Sequence, residues 1–581
     1  MAAIITNKLR IFNAQEFLQS INRSAPQWKP GYTYVLGDTV VNNGNLFIAL
    51  VAGTSASTGD GPTTIVENAL IDDGATLKWN YQGLAVYNHL FMGIAKHTPW
   101  VNDANPPTPQ DSIGYGYETK AETIAFKKVN YADMTLAIPR INWQSGRVYT
   151  MYEHDAPEEV IPNGYVITET SNQYNVYKCI NNQRFVDDAT TGIAIASTVK
   201  PTTQSYTDFE MTSDGYIWKY MYSIQLADAL KFLTKDYIPI DTIINQPDGN
   251  LNSSANGMQW QVQQAAAVVA NQIEHVKIVE NEVGGGLTGG VGYYSNINFA
   301  NAGGGASNLR VGGNGSQFSL TGIPNSSLDY VGYHIIDLQT NENFKILTWS
   351  VAGNVATGTV DVYGTDGFSG TGTNVIVAPG VDIDGNGSGF SGYGLVSGGN
   401  KITEIVITSA GQNWTHVNNA VIDTSGVTNV PAYDSSGNVN VNACKIKPII
   451  SPDMGHGYDA IEEMGGYYCM VSMRLEYDEQ ASRLTSDATP VNKTNVMFPV
   501  VGAHAQFRQI AIIADPQEAT TGNPPASEEL YRGPKHPDFG TAGEDTFDVL
   551  TGSGKVLYVE NRQPVARAVD QIEDIKVVFE F

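Results

Sequence analysis

The chain has 581 residues, with 33 Lys and Arg against 59 Asp and Glu, a formal net charge of −26. That balance excludes wrapping DNA or RNA, or gripping an anionic membrane, as the main task, because both need clustered cations. At 42% apolar and 10% aromatic the composition is globular, and the length predicts about three or four domains.

Residues 1–24 read as an N-terminal helix or arm, since Leu9, Phe12, Phe17, Leu18 and Ile21 recur near helical spacing behind Thr6 or Asn7 as cap. The opening Met1-Ala-Ala-Ile-Ile-Thr-Asn-Lys8 lacks the basic stretch and apolar core of an export signal. No run of about 18 apolar residues occurs anywhere, so the expectation is a soluble protein without a membrane span. Cys179, Cys444 and Cys469 form no CxxC pair and are too few for a disulfide framework, which predicts reduced, partly buried thiols.

Residues 25–83 carry Trp28, then Tyr34-Val-Leu-Gly37-Asp38-Thr-Val40, Leu46-Phe47-Ile-Ala49 and Trp79-Asn-Tyr81-Gln-Gly83. Gly37-Asp38 predicts a hairpin turn, and Trp28 with Trp79 could clasp a core too small to hold otherwise. The pattern resembles the small chitin- and cellulose-type carbohydrate-binding module. That resemblance makes Trp28, Tyr34 and Trp79 candidate glycan-binding residues. Sugar-binding members show further exposed aromatics where this chain has Leu50-Val-Ala-Gly-Thr54.

Residues 84–257 form the next predicted domain, with a strand following Asp214-Gly215 through Tyr216–Ile224 and a short helix over 224–235. A further helix is expected over 260–272. Residues 258–445 read as an inserted β domain. Within it, 281–400 holds 28 of the 59 glycines and only Arg310 and Lys345 as bases. Its short β-branched runs, Val276–Val279, Val375–Val377 and Ile402–Thr408, are separated by Gly, Asn, Asp and Ser, which favours strands and tight turns over a disordered linker. Residues 446–581 complete the chain, ending in a strand over Glu573–Phe581. The predicted class is mainly β with minor α: several β-sandwich-like domains carrying two insertions.

Motifs for chemistry are sparse. Gly284-Gly-Gly286-Leu-Thr-Gly289 and Gly387-Ser-Gly389-Phe-Ser-Gly392 match a dinucleotide loop, yet no helix-forming run follows either, so the phosphate would lack its helix N-terminus. Asp382, Asp384 and Asn386 copy the first half of a calcium loop, but Tyr393 stands where the bidentate acid belongs. A polar turn capped by its own side chains is the competing reading. The nine histidines show no ligand spacing. The expectation is no cofactor and no enzyme.

Several segments recur in a characteristic order. They include Asn88-His-Leu-Phe91-Met-Gly-Ile-Ala-Lys96-His-Thr-Pro99-Trp100, Pro106-Pro107-Thr-Pro109, Ile138-Pro-Arg140-Ile-Asn-Trp143, Phe507-Arg508-Gln509-Ile510 and Glu560-Asn561-Arg562-Gln-Pro564. Across about 5–24, 84–250 and 495–581 the chain resembles the dimeric baseplate wedge subunit of T-even-type contractile-tailed bacteriophages. The resemblance implies a virion tail protein assembled in the host cytoplasm: a homodimer that binds other wedge subunits and takes part in the rearrangement that triggers sheath contraction. On this reading 1–24, 84–257 and 446–581 are the wedge core, and 25–83 and 258–445 inherit nothing from it. Trp100, Arg140, Trp143, Arg508 and Arg562 are of the types that anchor interfaces. A tail adhesin binding host glycan through residues 28–83 is the alternative, and a polysaccharide-degrading tailspike a third, for which no regular repeat is present.

Overall fold

The computed structural model describes residues 4–22, 28–66, 69–85, 89–156, 164–170, 173–182, 194–244, 246–247, 250–268, 270–279, 293–299, 309–312, 316–323, 328–338, 340, 342–361, 375–397, 400–423, 444–476, 506–517, 529–531, 550–566 and 572–581. The first dinucleotide-loop match, Gly284–Gly289, lies outside them, as does 495–505 of the wedge resemblance. The architecture is mostly β, multi-domain, with several sheets and few helices. Among the described residues the helices are α1 (Asn7–Asn22), α2 (Ile113–Ala121), α3 (Leu226–Phe232), α4 (Ala255–Val268) and α5 (Ala460–Met464). None is long and apolar enough to cross a membrane. The chain divides into two compact units: 1–138 with 230–241 and 465–581, and 139–229 with 242–464.

Among its described residues the first unit holds three sheets of four or more strands. In residues 28–84, strands Thr39–Asn42, Asn45–Val51, Leu77–Leu84 and Ile71–Asp73 form one antiparallel sheet, and Thr33–Tyr34 pairs with Gly53–Thr54. Its core is small, with Tyr34, Val40, Phe47, Ala49, Leu77 and Trp79 buried. A buried carboxylate compensates: Asp73 Oδ2 accepts from both Trp28 Nε1 and Trp79 Nε1 at 2.8 Å, and Oδ1 accepts from the Ala56 amide at 2.8 Å. Glycine is required next door, because a Cβ on Gly74 (φ 77°) would lie 2.1 Å from the Thr54 carbonyl oxygen.

A five-stranded sheet runs in the order Glu529–Tyr531, Thr123–Lys128, Leu90–Ala95, Gln506–Ala514, Lys555–Ala566. A four-stranded sheet runs Tyr237–Ile240, Met134–Pro139, Tyr468–Glu476, Ile572–Glu580. α1 lies against this last sheet, with the Phe17 ring 6.0 Å from that of Phe579 and 5.3 Å from that of Phe581.

The second unit starts from a four-stranded sheet, Tyr165–Glu169, Gln173–Asn181, Ile217–Gln225, Glu210–Met211, against which α4 packs. Two larger sheets follow in the Gly-rich block. One has six strands, ordered Ile273–Val279, Lys445–Ile450, Val417–Asp423, Gly380–Gly385, Ser388–Ser397, Lys401–Gln412. The other has seven, ordered Ile297–Phe299, Val375–Ala378, His334–Asp337, Asn343–Ala352, Val355–Val360, Gln317–Thr321, Leu309–Gly312. Both contribute to one apolar core that includes Tyr293, Tyr333, Ile335, Val377, Ile402 and Trp414. The glycines have a steric task here. Trp414 is 2% exposed, and a Cβ on Gly387 or Gly411 would come within 2.1 or 2.5 Å of its indole.

Candidate functional site

The densest convergence of the singled-out residues is on the five-stranded sheet of the first unit. Arg508 sits on the central strand Gln506–Ala514 and is 3% exposed. Its guanidinium is forked onto Asp103, Nε to Oδ1 and Nη2 to Oδ2, both at 2.8 Å. Nη1 donates to the His97 carbonyl at 2.8 Å and Nη2 to Gln506 Oε1 at 3.1 Å. The Arg508 hydrogen bond holds the Asp103 carboxyl below its ordinary range. Asp103 Oδ1 also accepts the Trp100 amide at 2.8 Å, so one carboxylate shapes the turn and fastens it to the strand.

Trp100 caps the neighbouring strand: its Nε1 donates to the Arg562 carbonyl at 3.1 Å, and Lys96 Nζ stands 5.0 Å from its ring. Lys96 is in turn paired with Glu122 Oε1 at 2.6 Å. Further along, Asn561 Oδ1 accepts from Tyr115 Oη at 2.8 Å and from Gln509 Nε2 at 2.9 Å, while Asn561 Nδ2 donates to the Pro107 carbonyl at 2.6 Å. Gln563 Nε2 reaches the Ala104 carbonyl at 2.9 Å. α2 begins at Ser112, whose Oγ accepts the Tyr115 amide at 3.2 Å, and ends with Lys120 donating to the carbonyls of Ser553 and Gly554 at 2.8 and 3.1 Å. Burial lowers the pKa of Lys120. The result is a strap, residues 97–121, bound across the strand pair 506–514 and 555–566 by polar side chains.

Of the five predicted anchors, three meet at this strap. Arg508 is internal, Trp100 half-buried, and Arg562 stays exposed beside Glu560 at 3.3 Å. Among the residues the strap leaves outward are three large apolar ones, Val101 fully exposed, Ile113 95% and Tyr117 52%, set among polar neighbours such as Asn102, Gln110, Asp111 and Glu118. Arg140 and Trp143 lie in the second unit. There Arg140 Nε donates to Asn142 Oδ1 at 2.9 Å, and Trp143 Nε1 donates to Ser197 Oγ at 3.0 Å.

The other candidates lie elsewhere. Trp79 is wholly buried and Tyr34 nearly so, and Trp28 spends its indole N–H on Asp73; the exposed ring of this module is Tyr32. Asp382 and Asp384 project from one exposed strand face, while Asn386 Oδ1 accepts the Thr415 and His416 amides at 3.0 and 3.1 Å. Among the described residues no group of three or more His, Cys, Asp or Glu side chains could hold a metal ion. Cys179, Cys444 and Cys469 are buried, and burial pushes the thiols of Cys444 and Cys469 up to about 12.

Two comparisons bear on this sheet. Residues 476–581 match the family described as Bacteriophage T4, Gp8. The baseplate wedge protein gp8 of Enterobacteria phage T4 is 33% identical over 93 residues, 15% of this chain and 24% of that protein. The chain thus spans about a quarter of the relative's length. The similarity is to a baseplate wedge protein and to its family model, over part of the chain. Arg508, Gln509, Asn561 and Arg562 all lie within the matched residues; the 28–84 module and the Gly-rich sheets lie outside them.

Asp103, Tyr115, Lys120, Gln509 and Asn561 were not among the predicted site residues. The signal available for Asp103 was its position three residues after Trp100, where a carboxylate can cap a turn. Nothing in the sequence tied it to a strand 405 residues away.

Proposed function

We propose that this protein is a structural subunit of the baseplate wedge of a contractile-tailed bacteriophage, non-enzymatic and located in the virion tail. The observation carrying this reading is the match of residues 476–581 to the T4 Gp8 family, which falls on the strands that hold the 97–121 strap. On this reading the protein is assembled in the host cytoplasm as a homodimer, binds other wedge subunits, and takes part in the rearrangement that triggers sheath contraction. The strap suits that role physically. Its backbone is fixed by charged and amide hydrogen bonds, while Val101, Ile113, Tyr117 and the neighbouring Leu557 (52% exposed) present apolar surface on a rigid base.

The adhesin reading has less support. A sugar-stacking platform needs exposed aromatic faces, and the module's two tryptophans are turned onto Asp73. Immunogold labelling of purified virions tests the proposal: signal confined to the baseplate is expected. Signal on fibre tips, or none on virions, overturns it. Sedimentation of the purified chain tests the dimer separately.

A further inference from the structure

Within the second unit, the chain passes between the four-stranded sheet and the six-stranded sheet at two places, Gln272 and Ser451. They are tied to each other: the Gln272 amide donates to Ser451 Oγ at 3.0 Å, and the Ser451 amide donates to the Gln272 carbonyl at 2.8 Å. Among the described residues, the apolar core shared by the two Gly-rich sheets draws only on residues between Ile273 and Ile450, so it stops at this neck.

Just past the neck the ladder is broken. Ile273 faces Ile450 and His275 faces Ile449, leaving Glu274 as the extra residue of a β-bulge. A bulge re-aims a side chain, and here Glu274 Oε2 lies 2.7 Å from His456 Nε2, the two side chains 6% and 1% exposed. His456 Nδ1 faces Glu463 Oε2 and Lys178 Nζ, each at 3.1 Å, and Lys178 Nζ pairs with Glu463 Oε2 at 2.7 Å. The rings of Tyr152 and Phe209 close over His456, and Lys219 lies over Phe209. His456 is itself held firmly between Gly455 and Gly457, where a Cβ would strike Ala266 and Val262 of α4 at 2.2 and 2.4 Å.

The same boundary continues in polar contacts. Asn181 Nδ2 meets His275 Nε2 at 3.1 Å, Lys277 and Lys447 each reach Glu153 at 2.7 Å, and Lys447 reaches Asp155 at 2.6 Å. We propose that this seam is a hinge line: the 273–450 body turns as one piece on the Gln272–Ser451 neck, and the Glu274–His456–Glu463–Lys178 cluster is the catch that holds it to the 139–229 sheet. An apolar seam would resist opening in proportion to the surface exposed. An ionic seam fixes one register, contributes little net stability, and can exchange its partners for water. The inference stands independently of the baseplate reading.

The test is hydroxyl-radical footprinting of the full chain. Tyr152 and His456 report the seam, and Tyr333 and Trp414 report the interior of the 273–450 body. Glu153→Gln alters a partly buried carboxylate, 22% exposed, and is expected to raise labelling of Tyr152 and His456 roughly tenfold, the effect of one lost charged hydrogen bond. Tyr333 and Trp414 should stay protected. Salt near 1 M, where the screening length is about 3 Å, should weaken the partly exposed Glu153 pairs with Lys277 and Lys447 and so act in the same direction on the unaltered protein. Glu274→Gln, which alters the catch itself, should raise seam labelling further. Labelling that rises equally at Tyr333 and Trp414 would mean melting and overturn the hinge. Unchanged seam labelling in Glu274→Gln would overturn the catch, and unchanged labelling in both Glu153→Gln and high salt would overturn the ionic seam.

Discussion

At position 508 a lysine could keep the charge and still fail. The guanidinium places two parallel N–H groups on Asp103 and a third on the His97 carbonyl, whereas an ammonium acts as one compact charge without that fork. Arg508→Lys is therefore expected to loosen the strap, read as roughly tenfold faster amide exchange over 97–112 with the neighbouring strand 90–95 unchanged. Unaltered exchange over 97–112 would show that the strap is held by Asn561 and Gln563 instead. Asp73 makes the parallel case in the 28–84 module. Asp73→Asn leaves one carbonyl oxygen to serve two indoles and the Ala56 amide, and turns an NH2 group toward another donor. The expected cost is about 2–3 kcal/mol, visible as lost exchange protection over 39–84 and earlier proteolysis there.

Among the elements, the Gly-rich block shows what sequence pattern could and could not give. Its β-branched runs at 276–279, 375–377 and 402–408 all fall within strands. The helix expected over 260–272 instead spans Ala255–Val268, because the Ser254 hydroxyl accepts the Gly257 amide at 3.0 Å and caps the first turn, while Asn271 (φ 56°) has already left helical backbone. The second dinucleotide-loop match has a different physical reason from phosphate binding: Gly387 lies where a Cβ would enter the Trp414 ring. Gly387→Ala is expected to cost about 1–3 kcal/mol through overpacking, measured as a lower thermal midpoint. An equal midpoint would show that the indole can shift. The residue types at the strap were legible, since Trp100, Arg508 and Arg562 were singled out. Their direction was not, because whether an arginine faces a partner or its own chain depends on contacts hundreds of residues apart.

For the whole molecule, two electrostatic effects oppose each other on acidification. A charge of −26 at neutral pH means self-repulsion that protonation relieves as the pH approaches the isoelectric point near 4.6. Against this stand two buried groups in the second unit. Burial drives the His275 pKa down to about 4, so between 6.5 and 4 the unfolded chain takes up a proton that the folded chain refuses, and stability falls as pH falls. Burial alone would raise the Glu463 pKa, but Lys178 and His456 hold it at about 2, so its contribution is present above 4.5 and is lost as pH drops toward 2. Both act in the same direction, and the His275 loss alone reaches on the order of 3 kcal/mol by pH 4. Repulsion between exposed charges is screened at physiological salt, whereas these buried groups are not, so the buried groups should win. Denaturant melts from pH 7 to pH 4 are expected to show the second unit losing stability steadily. His275→Gln should flatten the slope between 6.5 and 4 while leaving the fall below 4.5 in place. Melts that gain stability across that range would mean the net charge dominates and His275 is reached by water.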